Sequence, residues 1–216
     1  MTDKILRLIE KDHPLTPIDC GEFAKMKVSG MNFSISAYKA EGLGHVSVMT
    51  ASGMLGLMKM DTLIINPTEL DLPLYSYDRI FAMGNDTLIV ELYDTLLGEF
   101  SEDKLLERKE GFYYLPERDP GEHWYDSIKL KSSISKKGKK KDVSNGFEYL
   151  TMEHLYAYLY SSEAKPVQDC EKKQEKAKFY VDGLITKGGP STDVFKKAIG
   201  EEKTRALFEN ILFGTK

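Results

Sequence analysis

Between Phe23 and Leu97 six short runs follow one another, separated by Gly, Asn or Pro: FAKMKVS, NFSISAYKA, HVSVMTAS, GLMKMDTLIIN, LYSYDRIFAM and TLIVELYDTLL. Runs of this length between turn residues read as strands, and strands joined by short links pair antiparallel. In the second run Phe33, Ile35 and Ala37 alternate with Asn32, Ser34 and Ser36, which turns one face toward a core. Two links, SGMN at 29–32 and AMGND at 82–86, carry the Gly and Asn that tight hairpins require. A meandering antiparallel sheet is expected.

Helical spacing brackets this region. Ile5, Leu8 and Ile9 predict a leading helix over residues 2–10, ended by Pro14 and Pro17. SEDKLLERKEG, from Ser101, opens with a capping residue and two acids suited to a helix N-terminus. Residues 112–147 hold the single Trp, Trp124, a predicted strand around YDSIKLKS (125–132) and the lysine run SKKGKKKDV. Three helices are expected near 147–161, 166–187 and 191–213, the last interrupted by Gly200, with Leu207 and Ile211, then Phe208 and Leu212, one helical turn apart. Strands first and helices later is the order of an α+β fold in which helices cover a sheet, here one domain over residues 1–216.

The charge balance, 30 basic against 34 acidic side chains for a net −4, argues against nucleic acid as the main partner. No run approaches the ~18 apolar residues of a membrane span, and MTDKILRLIEKDHP is not built as a signal peptide, so a cytoplasmic protein without a membrane partner is expected. Cys20 and Cys170 stand alone, which supports neither a disulfide framework nor a zinc site, and His13, His45, His123 and His154 have no spacing for a shared metal. Fingerprints for dinucleotides, P-loops, zincins and serine hydrolases are absent. The GGP at 188–190 reads as a helix breaker followed by a helix start.

Asp61 and Asp78 sit inside apolar strand runs. Such a carboxylate either faces water or occupies a site where desolvation raises its pKa and makes it a proton donor near neutrality. By strand parity Leu74 and Ser76 share the side of Asp78, while Tyr75, Tyr77 and Arg79 point away. Lys129, Lys131, Lys136, Lys137, Lys139, Lys140 and Lys141 form an acid-free stretch, which is either a patch that steers an acidic partner or a solvated hairpin tip.

The run DLPLYSYD (71–78), followed by a strand ending LIVELYDTL, resembles the DxPxFGxD region of the ferredoxin-dependent bilin reductases. STDVFKKAIGEEKTRALFENILF (191–213) is similar to that family's ending, and the resemblance runs from about residue 45 to the C-terminus. It implies a three-layer α/β/α sandwich with a central antiparallel sheet, and a linear tetrapyrrole such as biliverdin held between the sheet and the C-terminal helices. Electrons would arrive singly from ferredoxin or flavodoxin, with no bound flavin or metal, and pocket carboxylates would supply protons. By position, Asp78 matches the family's proton-donating aspartate, Asp61 falls where members carry a pocket His or Asn, and Val194 matches an apolar pocket residue. Met49 stands where several members have Glu, and Gly188, Gly189 and Pro190 replace a polar, ligand-binding stretch.

The expected function is therefore reduction of a biliverdin-like bilin, with Asp78 and Asp61 catalytic and Met49, Ser76, Gly188, Gly189 and Val194 contacting substrate. Lys136, Lys137, Lys139, Lys140 and Lys141, with Lys172, Lys173, Lys176 and Lys178, would dock the electron donor. The alternatives are a non-catalytic tetrapyrrole or macrocycle binder on the same fold and, on the lysines alone, a protein-interaction domain.

Overall fold

A computed structural model describes residues 1–162 and 164–216, with backbone alone at 54 and 190. Among these residues the strand runs pair in nearly the order in which they occur. β1 (Leu15–Ile18), β2 (Lys25–Val28), β3 (Met31–Ala40), β4 (Gly44–Gly53), β5 (Met58–Asn66), β6 (Leu74–Ala82), β7 (Asn85–Tyr93) and β8 (Ile134–Lys139) form one eight-stranded antiparallel sheet. The spatial order is β1-β3-β4-β5-β6-β7-β8, and β1 and β2 pair with opposite ends of β3. β1 was not expected from LTPI; Pro17 is tolerated there because the strand lies at the sheet edge, where a missing N–H breaks no inner ladder.

The two predicted hairpins close through paired left-handed residues, Ser29 (φ 50°) with Gly30 (φ 79°) and Met83 (φ 49°) with Gly84 (φ 76°). This matches the twist of the flanking strands and sets Val28 opposite Met31 and Ala82 opposite Asn85.

One strand was misplaced. Residues 126–128 make a single 3-10 turn, Lys129 forms an isolated bridge to Tyr93, and the strand beside β7 is the lysine run itself. A charge-rich run can be a strand because lysine buries an aliphatic stem and needs a partner only at its tip. Lys136 does this: its side chain is 1% exposed, and its ammonium meets the Leu115 carbonyl at 3.0 Å and Glu117 at 2.7 Å. Lys137 and Lys139 are exposed on this edge strand, where charge discourages pairing with another chain.

Alternation sends Leu63, Ile65, Tyr75, Tyr77, Leu88, Val90 and Leu92 into a core beneath α1 (Thr2–Glu10), α2 (Asp103–Glu110) and α3 (Lys140–Leu159). The opposite sheet face, with Phe33, Ile35, Met49 and Ile64, packs against α4 (Cys170–Lys187), α5 (Pro190–Ile199), α6 (Glu201–Ala206) and a π-helical turn, Leu207–Leu212. The result is a three-layer α/β/α sandwich. α3 starts earlier than the predicted residue 147, because Val143 continues the buried stripe of Phe147, Leu150, His154 and Tyr158. Buried Arg79 fastens its first turn, bonding Asp86 at 2.8 Å and the Ser144 carbonyl at 2.7 Å. No helix of the described residues is long and apolar enough to cross a membrane.

His154 is fully buried in the α3 core. Nε2–H donates to the Ser132 carbonyl at 3.1 Å, which leaves Nδ1 to accept from the Tyr75 hydroxyl at 3.3 Å. Burial pushes its pKa from 6.5 down to about 4, against the Ser132 carbonyl, which pulls it up. As pH falls, the unfolded chain takes up this proton before the folded one does, so the neutral histidine's stabilisation is complete above 6.5 and is lost toward 4. Relative to His154→Gln, the parent is expected to lose on the order of 2 kcal/mol between about pH 7 and pH 5, read from urea midpoints. An unchanged difference between the two proteins at both pH values would refute this.

Candidate active site

The register of three central strands builds the floor of a cleft. Thr62, Asp78 and Ile89 lie side by side on β5, β6 and β7, and Ile64, Ser76 and Glu91 form the next row. Residues directly opposite in an antiparallel pair share a face, so all six side chains point toward α4, α5 and the π-helical turn. The cleft is open to solvent at its mouth and has a cavity volume of about 170 Å³.

The roof depends on two sets of contacts. Trp124 packs so tightly on Gly183 of α4 that a Cβ there would lie 2.1 Å from the indole, while its Nε1–H donates to the Gly188 carbonyl at 3.0 Å. This pins the segment carrying His123 and Tyr125 to the helices; Tyr125 in turn meets Tyr93 edge-on at 5.5 Å, and Tyr93 stacks on Tyr180 at 4.0 Å. At the chain's end, His45 Nε2–H donates to the Ile211 carbonyl at 2.8 Å, Ser47 to Leu212 at 2.7 Å and Asn66 to Phe213 at 2.8 Å. Three side chains of β4 and β5 thereby satisfy carbonyls that a terminating helix leaves unpaired, and hold Phe208, Leu212 and Phe213 over the cleft.

Asp78 is surrounded by protein except where it faces the cavity. Burial raises its pKa from 3.8 to about 6, opposed by the Thr62 hydroxyl that donates to it and aided by the charge of Glu91. No cation pairs with it among the described residues. Glu91 has the contrasting environment, accepting from the Tyr93 hydroxyl at 2.6 Å and lying 3.7 Å from the Lys129 ammonium. Arg118, also on the cleft, donates to Ser135 Oγ at 3.1 Å and has no carboxylate partner among the described residues. No group of three His, Cys, Asp or Glu side chains converges there or elsewhere in the described residues as a metal site would require.

Of the residues expected to form the site, Asp78, Ser76, Met49 and Gly189 line the cleft. Asp61 does not: it stands opposite Arg79, on the other face of the sheet, and Thr62 occupies the row of Asp78. Val194 is 42% exposed on the outer side of α5, where Phe195 is the residue turned inward. Gly188 lies outside the lining and contributes its carbonyl to Trp124, and at Pro190, where the backbone begins α5, the side chain lies outside the description. Among the lysines, Lys136 is buried as described above, and Lys173 is buried against Asp71, so neither belongs to a surface patch. Lys137, Lys139, Lys140 and Lys141 are exposed together.

Glu91, Thr62, Arg118, Tyr125 and Tyr180 were missed. For Glu91 the signal was available. A two-residue turn at Met83 and Gly84 fixes the β6–β7 register, which places Glu91 opposite Ser76 and therefore on the face of Asp78.

These features define an architecture first, an α/β/α sandwich that keeps its cleft between an antiparallel sheet and C-terminal helices. A solved structure of this architecture is phytochromobilin synthase from tomato, in complex with biliverdin: the TM-score is 0.78 at 14% identity, over 99% of this chain and 82% of that one. This likeness establishes the shared fold. No family model and no curated protein matches the chain.

Proposed function

We propose that the chain binds an open-chain tetrapyrrole of the biliverdin kind in this cleft and reduces it by two electrons and two protons. The observation that carries the proposal is Asp78, a carboxyl held near neutrality without a cation, facing a cavity of apolar and aromatic walls. Such a group delivers a proton where charge develops on a reduced ligand. The ligand class is suggested by the biliverdin-bound protein that shares the fold.

In this reading Met49, Ser76 and Gly189 contact the tetrapyrrole, and the guanidinium of Arg118, which has no carboxylate partner among the described residues, receives one of its carboxylates. Asp78 protonates the ligand after the first electron and is recharged from solvent for the second. Electrons come one at a time from an acidic ferredoxin or flavodoxin, attracted by Lys137, Lys139, Lys140 and Lys141. The proposal needs no flavin or metal bound to the chain.

Absorbance provides the test. Added biliverdin is expected to shift its visible bands on binding, then to bleach and shift with time when reduced ferredoxin is supplied. The rate should fall as salt rises from about 0.01 to 0.15 M and when the four lysines become Ser, because the attraction is screened or removed. A stable shift without turnover means a binding protein; no shift at all removes the bilin reading.

A further inference from the structure

α3 packs one stripe on the sheet and leaves another facing outward, on the side of the sheet away from the cleft. At helical spacing the outer stripe reads Lys141, Asn145, Tyr149, Glu153, Tyr156 and Tyr160, all exposed except the half-buried Tyr160. Leu115 closes on Gly146 so tightly that a Cβ there would lie 2.7 Å from it, and this brings the preceding Tyr113 and Tyr114 beside the first half of the helix. Tyrosine is enriched where proteins meet.

Tyr113, Tyr114, Tyr149 and Tyr156 keep 83%, 63%, 67% and 51% of their surface exposed. An aromatic side chain buries ~150–250 Å² when covered, so these four rings offer on the order of 500 Å², more than half of the ~800 Å² that each partner contributes to a stable interface.

The charges on the stripe identify what covers it. Lys141, at the start of α3, has no carboxylate partner among the described residues, while Glu153, about 18 Å further along the helix, has only the distant Arg108 at 3.9 Å among them. A partner of one sign would suit one end and oppose the other. A second copy laid antiparallel suits both: with a two-fold axis at the level of Phe147, each Lys141 faces the other copy's Glu153 and each Tyr149 the other copy's Asn145. Pairing through the sheet edge is disfavoured by the exposed Lys137 and Lys139 of β8.

We propose that this face is the interface of a homodimer, with α3 packed antiparallel on α3 of a second copy and Tyr149 beside the axis. The inference does not depend on the bilin reading. Because the cleft lies on the opposite face of the sheet, both copies keep theirs open, and of the exposed lysines at 137–141 only Lys141 lies on the stripe.

Sedimentation velocity of the full chain across ~1–100 µM is expected to show a monomer–dimer equilibrium. Tyr149→Glu, which places a charge beside the axis, should weaken the dimer at least about tenfold. Lys141→Glu and Glu153→Lys should each weaken it about tenfold, because like charges then face each other across the axis. The double substitution exchanges the two signs and should return the dissociation constant to within about threefold of the parent, a rescue that a folding defect does not produce. A parent that stays monomeric at ~100 µM overturns the inference. So does a dimer that none of these substitutions weakens, which would use another face, and so do single losses that the double substitution fails to recover.

Discussion

Asp78→Asn is expected to bind biliverdin within about tenfold of the parent, or roughly 1.4 kcal/mol, while its reduction slows by about 10²- to 10⁴-fold. The amide keeps the size of the side chain and can still accept from the Thr62 hydroxyl, so the ground-state complex changes little. What is removed is a transferable proton, and a group needed only as charge develops affects the rate and not the affinity. A radical form of the ligand is expected to accumulate in the variant and should be visible by electron paramagnetic resonance. Parent-like turnover by Asp78→Asn would show that the proton comes from another group.

The same substitution is expected to stabilise the fold. With a folded-state pKa of about 6 against 3.8 for an unperturbed carboxyl, Asp78 costs stability at neutral pH, and that cost disappears as pH falls through 6 toward 3.8. At pH 7 the difference is on the order of 3 kcal/mol. This gain on acidification runs against the loss caused by His154, whose window overlaps it. Because the Asp78 gain is missing from the variant, Asp78→Asn should lose more stability than the parent between about pH 6.5 and 4, by on the order of 2 kcal/mol. Urea unfolding of both proteins across this range reads the Asp78 contribution as their difference. The cost at Asp78 is what would be expected of a residue retained for chemistry and not for packing.

Asp71→Ala is expected to cost about 3–5 kcal/mol, a large share of the ~5–15 kcal/mol available to a folded domain. Asp71 begins the DLPLYSYD run, yet its role here is structural. Its carboxylate accepts from the Lys173 ammonium at 2.9 Å and from the amides of Leu97 at 3.1 Å and Gly98 at 3.0 Å. Burial favours the protonated acid, but these donors outweigh it and leave the pKa below the ordinary carboxyl value. Removing the carboxylate strands a lysine whose side chain is 0% exposed and leaves the Leu72 carbonyl, at 2.6 Å, as its hydrogen-bond partner among the described residues. Adding Lys173→Met to Asp71→Ala should recover much of the loss, since the stranded charge and not the missing bond dominates the cost. Additive single and double effects in urea denaturation would contradict this account. Lys173 belongs to α4, which carries Tyr180 and Leu184 over the cleft, so the pair also holds the roof in place.

The likeness of DLPLYSYD to a functional motif thus divides between an end that supports the fold, Asp71, and an end that faces the cleft, Asp78. A similar division runs through the lysines: Lys136 and Lys173 are interior, and Lys137, Lys139, Lys140 and Lys141 are exposed. Lys136 and Lys137 are adjacent and share one local composition, yet one is buried and the other exposed. Whether a lysine's tip finds a carbonyl or carboxylate inside the protein depends on segments far away in sequence, here Leu115 with Glu117 for Lys136 and Asp71 with Leu72 for Lys173.

The strand meander, the two glycine hairpins, the division into an early sheet and later helices, and the side of its own strand that each residue occupies are all legible in the order of the residues. These follow from period-two alternation and from turn chemistry, both of which act over a few neighbouring residues. Which strand faces coincide is a local matter across a tight turn and a matter of packing where the link is longer. Across the Met83 and Gly84 turn the register is fixed by the turn, so Glu91 joins Asp78 by local rules. Between β5 and β6 the chain runs through residues 67–73 without a tight turn, and nothing local sets the register. A shift of one residue there exchanges Thr62 for Asp61 beside Asp78, and the choice falls to burial: the observed register sends Leu63 and Ile65 into the α3 core and leaves Asp61 opposite Arg79 on the far side of the sheet from the cleft.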